Sequence, residues 1–343
     1  MNSILLVGHG SRDPEGNQEL LEFAKTVASK SPDTLVETCF LELTGPTIAE
    51  GIAACAAQGA SRVVIVPIIL FAAGHAKIDI PMAIDRAKAK YPEIEFVYGR
   101  PIGVHEKIIE ILQSRLAEAQ PVAAAAGMAR GPALADEATD QDTAVLVLGR
   151  GSSDPDANSD FFKMTRMLWE KLPYTWVESC FIGVTQPSYP EGIERCLRLG
   201  AKKIIVLPYF LFTGVLIKKI NDMTLEFAEA HPEVQVEIGG YFGFHPRLVE
   251  LVLERVQEGL HGRAFANCDN CQYRLAAQEH HHHHHDHDHG HDHHDHDHDH
   301  HDHDHHHDHD HDHDHHHHSD HHNNHHHDHG HTHTDADKKV NGL

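Results

Sequence analysis

This chain is short of basic side chains, of long apolar runs and of cysteine, and each shortage removes a class of function. Its 343 residues include 28 Lys and Arg against 52 Asp and Glu. No basic face can be assembled to neutralise phosphates, so a nucleic-acid partner is excluded. A membrane span needs about 18 consecutive apolar residues, and none occurs. The amino terminus has no basic segment followed by an apolar core, so neither a membrane nor a secretory route is expected and the expected compartment is the cytoplasm. Of the six cysteines, Cys39 and Cys180 form one equivalent pair in an internal repeat, and Cys55 and Cys196 form another. All four lie in mostly apolar surroundings, which reads as buried free thiols in a reducing compartment.

Histidine, by contrast, is in excess. Of 40 histidines, 34 lie from His280 onward, interleaved with 16 Asp and two Lys, so that about −14 of the formal charge of −24 belongs to this tail. Such a segment cannot bury a core and is expected to be disordered without metal. Imidazoles at this density bind Co2+, Ni2+, Zn2+ and Cu2+, with affinity following the Irving–Williams order. The tail is therefore read as a metal buffer or delivery device that raises the local metal concentration, with mere solubilisation as the alternative.

The remainder of the chain is written twice. ILLVGHGSRDPEGNQEL from Ile4 returns as VLVLGRGSSDPDANSDF from Val145, and the segment from Glu37 to Phe71 returns from Glu178 to Phe212, at a constant offset of 141 residues. Short β-branched runs alternate with helical patterns, which indicates an α/β fold with a small parallel sheet flanked by helices in each copy. In the first copy, strands are expected over 3–7, 35–40, 62–70 and 95–98, and helices over 15–29, 46–58, 80–90 and 106–118. Pro46 at a first helical position and Gly59 just past a helix end are the expected punctuation. The repeat divides the chain into a first domain at 1–120, a small-residue linker at 121–142 and a second domain at 143–262. A segment at 263–279 carries Cys268 and Cys271, and the tail occupies 280–343.

Against the repeat, three substitutions stand out. His9 becomes Arg150, Glu42 becomes Gly183 and, after a one-residue deletion, His75 becomes Val215. In open parallel sheets the ligand crevice forms outside the carboxyl ends of the strands. His9 follows the first strand, Glu42 lies just past the second, and His75 is expected in the loop after the third, so all three project from one edge. Two imidazoles and a carboxylate suit a divalent transition metal and proton removal alike. The first copy is therefore read as the one that carries chemistry. His105 and His245, present in both copies ahead of a helix, read as structural hydrogen bonders.

LLVGHGSRDP, FLELTGPTI, PIILFAAGHAKIDIP, the altered GRGSSDP of the second copy and the terminal CxxC together resemble the class II tetrapyrrole chelatases. The likeness is to the long, two-domain sirohydrochlorin cobaltochelatases of the CbiX family, over about residues 1–275. The resemblance implies two tandem chelatase-like domains, the first catalytic and the second degenerate. It also implies Co2+ insertion into sirohydrochlorin on the anaerobic route to cobalamin, with His9, Glu42 and His75 as the catalytic set. His9 and His75 would hold the metal, and Glu42 would act as a further base. The substrate's carboxylates need cationic or N–H donors, and Ser11, Arg12, Lys77 and Arg150 are the candidates. Cys268 and Cys271 match the family's MxCxxC iron–sulfur motif except for Ala266 at the Met position. A cluster there would be completed by the same pair from a second subunit in a homodimer, with a redox dithiol or a zinc site as alternatives. Two rival functions stand beside cobalt insertion: Fe2+ insertion for sirohaem, and metal storage or chaperoning through the tail.

Overall fold

Each half of the chain builds one parallel sheet, and the register of the first sheet decides which loops meet. In the computed structural model, which describes residues 1–122 and 138–262, the first sheet contains β1 (Asn2–Gly8), β2 (Leu35–Phe40), β3 (Arg62–Ile68) and β4 (Glu95–Tyr98) in the order β2-β1-β3-β4. All its pairings are parallel. Its helices are α1 (Pro14–Ser29), α2 (Ile48–Ala57), α3 (Ile80–Lys90) and α4 (Glu106–Ala117). The second half repeats the order with β6 (Thr143–Gly149), β7 (Trp176–Phe181), β8 (Lys203–Pro208) and β9 (Gln235–Ile238). Its helices are α5 (Pro155–Trp169), α6 (Tyr189–Arg198), α7 (Val215–Ala230) and α8 (Pro246–Leu260). β5 (Gln120–Pro121), at the end of the first half, adds an antiparallel edge to β9, and the second sheet runs β5-β9-β8-β6-β7. Both halves lie in one unit, Met1–His287, while the second unit, Asp288–Leu343, falls outside the described residues.

The apolar runs form strands because both faces of each sheet are covered. Along β1, Ile4 and Leu6 enter one core and Leu5 and Val7 another. The core containing Ile4 and Leu6 also takes Val145 and Val147 of β6, so the two halves share one interior. The fourth helices are exchanged across it: α8 packs on β3 and β4, and α4 packs on β8 and α5. Arg255 on α8 is 4% exposed and donates to the carbonyls of Pro101 and Ile102, at 3.0 and 2.9 Å. Arg115 on α4 donates to the carbonyl of Phe242 at 2.8 Å. A Cβ on Gly259 would lie 2.4 Å from Val64 Cγ1, which shows how closely α8 sits on the sheet.

Helix starts follow their caps. Asp13 and Asp154 each cap a helix that opens on proline, and His105 and His245 cap α4 and α8 by accepting from Lys107 N and Arg247 N. The expectation that Pro46 opens a helix is corrected: α2 begins at Ile48, because Thr47 and Glu50 form a capping box, and Pro46 stands outside it in a cis peptide with Gly45. Cys39, Cys55, Cys180 and Cys196 are free and buried. Burial raises all four thiols, with Cys55 and Cys196 pushed up to about 12. Among the described residues, no helix is long and apolar enough to cross a membrane.

Replacing Arg255 with Leu strands two carbonyls in the shared interior. Arg255→Leu should lower unfolding stability by about 3 kcal/mol, the scale of orphaning buried partners of a charged donor. Urea denaturation of the variant beside the wild type measures this.

Candidate metal centre

β1, β2 and β3 end level with one another. Gly8 at the end of β1 pairs with Phe40 of β2 on one side and Ile68 of β3 on the other. His9 therefore leaves the sheet at the point where the chain following Phe40 also turns away. Gly10 has φ +92°, and a Cβ there would lie 1.9 Å from the carbonyl oxygen of Glu42. Only glycine permits both the left-handed backbone and this approach. The Glu42 N–H donates to the His9 carbonyl at 3.1 Å, locking the two turns together. His75 arrives from β3. The expectation of a loop there is corrected: His75–Asp79 is a π-helical turn that runs directly into α3. Its wider i→i+5 hydrogen bonding is a local geometry that recurs at functional sites.

The three side chains meet. His9 Nδ1 lies 3.6 Å and His75 Nε2 4.0 Å from Glu42 Oε1. The two rings stand perpendicular, 4.9 Å between centroids. One ligand atom from each residue lies within 4.8 Å of the others, and all three side chains are partly open to solvent.

Their surroundings separate the two imidazoles. His75 Nδ1 is 2.7 Å from Asp79 Oδ2, one helical step further on. That carboxylate accepts a hydrogen bond from Nδ1–H and leaves Nε2, the atom facing Glu42, as a lone-pair donor; a carboxylate behind a ligating histidine orients the ring and raises its basicity. The hydrogen bond to Asp79 raises the His75 pKa above 6.5, against the effect of burial. His9 moves the other way: burial first, and then the Arg150 guanidinium, lower its pKa. Its Nδ1 faces the Gly10 carbonyl at 3.2 Å and its Nε2 faces Arg150 Nη1 at 3.1 Å. His9 is thus held neutral, with the proton on Nδ1.

The other residues singled out in the sequence divide. Arg150 is brought to the centre. Lys77 is engaged elsewhere, 2.7 Å from Asp154 and 3.1 Å from Asp156 of the second half. Ser11 caps its own turn, its Oγ accepting from Asp13 N and its backbone bonded to Asn17. Arg12 is exposed and forms no ion pair among the described residues. Cys268, Cys271 and the tail lie outside the described residues. Asp79 escaped the sequence reading because a loop carries no i+4 relation. H-x-x-x-D would have exposed the pairing had that segment been read as helical. In the second half the same turn survives, with Gly151 at φ +86° and 2.1 Å between its virtual Cβ and the Gly183 carbonyl, but Arg150, Gly183 and Val215 offer no ligand set.

Two nitrogens and one carboxylate oxygen with open positions can hold a divalent first-row metal and release it again, which a closed four-ligand site does not. Comparison with known proteins agrees with that chemistry. The CbiX family model matches residues 3–119 and again 144–259. A sirohydrochlorin cobaltochelatase of Priestia megaterium is 56% identical over 281 residues, covering 82% of this chain and 87% of that one. A sirohydrochlorin ferrochelatase from the same organism is 35% identical over 258 residues, covering 75% and 90%. SirB from Bacillus subtilis, solved with Fe3+, superposes with a TM-score of 0.63 at 34% identity, covering 75% of this chain and 95% of that one. The SirB of subspecies spizizenii, solved in complex with cobalt, gives 0.61 at 32% identity, covering 76% and 96%.

Because the His75 pKa is raised, the ring keeps its proton to a higher pH than an isolated histidine. Reaction of neutral imidazole with diethyl pyrocarbonate, followed on the His75 peptide by mass spectrometry, should therefore switch on at lower pH in Asp79→Asn than in wild type. An unmoved midpoint removes Asp79 from the centre.

Proposed function

The chain belongs to the CbiX family, and from that premise we propose that it is a sirohydrochlorin cobaltochelatase, inserting Co2+ into sirohydrochlorin as a lyase-type metal chelatase. The observation that carries the reading is the convergence of His9, Glu42 and His75 at one sheet edge, with their ligand atoms within 4.8 Å of one another.

Insertion requires the macrocycle to lose two pyrrole N–H protons while the metal is passed to its ring nitrogens. His9 and His75 would hold the incoming ion through Nε2, His75 fixed from behind by Asp79 on its Nδ1 and His9 fixed through its Nδ1 by the Gly10 carbonyl. Glu42 stands beside both imidazoles and would accept a proton as the ring nitrogens take over the metal. His9, with its pKa lowered by burial and by Arg150, favours the neutral form that a ligand requires. His75, with its pKa raised by Asp79, is the better proton acceptor. Arg12 and Arg150, free of carboxylate partners among the described residues, serve the substrate's eight carboxylates. Lys77 and Ser11 support the crevice through the contacts described above. Leu43 and Val184, equivalent in the repeat, are exposed, and each has φ 68°. They present apolar surface beside Glu42 and Gly183 for a flat ring.

The finer assignments rest on the sequence. Residues 1–120 act as the catalytic domain and 143–262 as its degenerate partner. Cys268 and Cys271 hold an iron–sulfur cluster shared across a homodimer. The His/Asp-rich tail collects divalent metal for the crevice, in the cytoplasm. Iron is the second reading, supported by the 35% identical ferrochelatase and by a relative solved with Fe3+. The higher identity to a cobaltochelatase favours cobalt.

The absorbance change of sirohydrochlorin with Co2+ or Fe2+ distinguishes the two, and insertion of neither ion sinks the reading. His9→Ala and His75→Ala should each lower the Co2+ rate by about 100-fold or more, the scale of a lost general base or ligand, with native circular dichroism. Rates near wild type in both would end the catalytic assignment. Deleting residues 280–343 should leave turnover intact at saturating Co2+ and depress it when Co2+ is scarce. Loss of turnover at saturating metal would contradict the delivery role. Wild-type activity should fall as pH drops through the raised His75 pKa, since protonation removes its Nε2 lone pair; an acid limb shifted downward in Asp79→Asn checks the sign.

A further inference from the structure

Arg150 replaces His9 in the second copy, and the two side chains touch. Its Nη1 lies 3.1 Å from His9 Nε2. A guanidinium is donor only, so the ring presents its lone pair to it. That lone pair is the one through which His9 has to grip a metal, because Nδ1, beside the Gly10 carbonyl, carries the proton. Arg150 itself forms no ion pair among the described residues. The two lysines that bridge the halves at the starts of α1 and α5 are saturated, Lys77 by Asp154 and Asp156, and Lys218 by Asp13 and Glu15. A cation with no counter-ion, seated on a ligand atom, opposes metal binding and is ready for a carboxylate.

We propose that Arg150 is a substrate-displaced cap on His9: it fills the Nε2 position until a carboxylate of the tetrapyrrole draws the guanidinium away, and only then does the imidazole take the metal. The inference rests on the chelatase reading and deepens it by ordering the reaction, macrocycle before metal. In the resting protein a metal at His9 has to displace the Arg150 N–H and sit beside a unit positive charge, so its apparent affinity is reduced by the fraction of uncapped molecules. A polycarboxylate that binds the displaced arginine raises that fraction, and linkage requires metal binding to tighten with it. The crevice is thereby kept from filling with late-row metals ahead of substrate, in a chain whose other histidines collect them.

The measurement has to read His9 itself, since the tail imidazoles dominate any bulk titration. Full-length wild type and Arg150→Gln are held at free Co2+ set by a nitrilotriacetate buffer and pulsed with diethyl pyrocarbonate. Modification of the His9 and His75 peptides is then quantified by mass spectrometry. A parallel series contains zinc uroporphyrin, an octacarboxylate macrocycle whose centre is already filled. Without the macrocycle, half-protection of His9 in Arg150→Gln should come at about tenfold lower free Co2+ than in wild type, the scale of one charge-assisted hydrogen bond. The macrocycle should move the wild-type midpoint toward that of the variant and leave the variant unchanged. Equal midpoints in the two proteins overturn the cap, and a wild-type midpoint indifferent to the macrocycle overturns its displacement. Protection of neither His9 nor His75 at any free Co2+ sinks the metal-site reading instead, so the two failures are told apart.

Discussion

The crevice depends on one close approach, in which the turn after β1 lies directly against the turn after β2. With Gly10 in the left-handed region and no Cβ to intervene, its backbone rests on the Glu42 carbonyl, while the Glu42 N–H bonds back to His9. His9 and Glu42 are therefore side chains of a single double turn, and their 3.6 Å separation follows from backbone contacts. The second half keeps this turn at Gly151 and Gly183 without any ligand on it. The frame is a way of ending two parallel strands, and its chemistry depends on which side chains are placed upon it.

The second half matters to the first through their common interior. Val145 and Val147 share a core with Ile4 and Leu6, and each fourth helix packs on the other half's sheet. Arg115 and Arg255 fasten these helices to carbonyls across the boundary. At the crevice, Lys77 bonds Asp154 and Asp156 while Lys218 bonds Asp13 and Glu15, a reciprocal pair of ionic clamps between the halves. Exposed ion pairs add little stability singly, but these two tie the start of each half's first helix to the segment after the other half's third strand. Beside these clamps Arg150 reaches His9. A duplication that loses its ligands thus still supplies a charge to the surviving site.

Much of this was legible in the residues alone. Alternating β-branched runs and helical stretches marked the strands of both sheets, since parallel strands covered on both faces must be apolar throughout. The substitutions at the strand ends, where the repeat loses two histidines and a carboxylate, marked the donor set. What escaped lay in longer-range or finer geometry. No local pattern says that α4 and α8 change partners, since each helix would bury the same apolar stripe on either sheet. Lys77 looked like a free cation because its acidic partners lie in the other half. Asp79 was hidden by reading His75 in a loop, although four residues is the spacing that brings a carboxylate behind an imidazole once the chain turns helically.

The opposite pKa shifts of the two histidines carry the last step. Equal imidazoles would compete for the same proton and leave Glu42 no direction in which to pass it. Burial and Arg150 lower His9, while the Asp79 hydrogen bond raises His75, so the pair is polarised before any ligand enters. Once Arg150 is drawn off, a metal at His9 meets a neutral ring, whereas a proton leaving the macrocycle finds its better acceptor at His75, with Glu42 within 4.0 Å of both rings. Metal delivery and proton removal must take opposite paths through one small volume. An asymmetric pair of otherwise identical side chains, one set by burial and Arg150 and the other by Asp79, separates those paths without a fourth ligand that would hold the metal too firmly to release it.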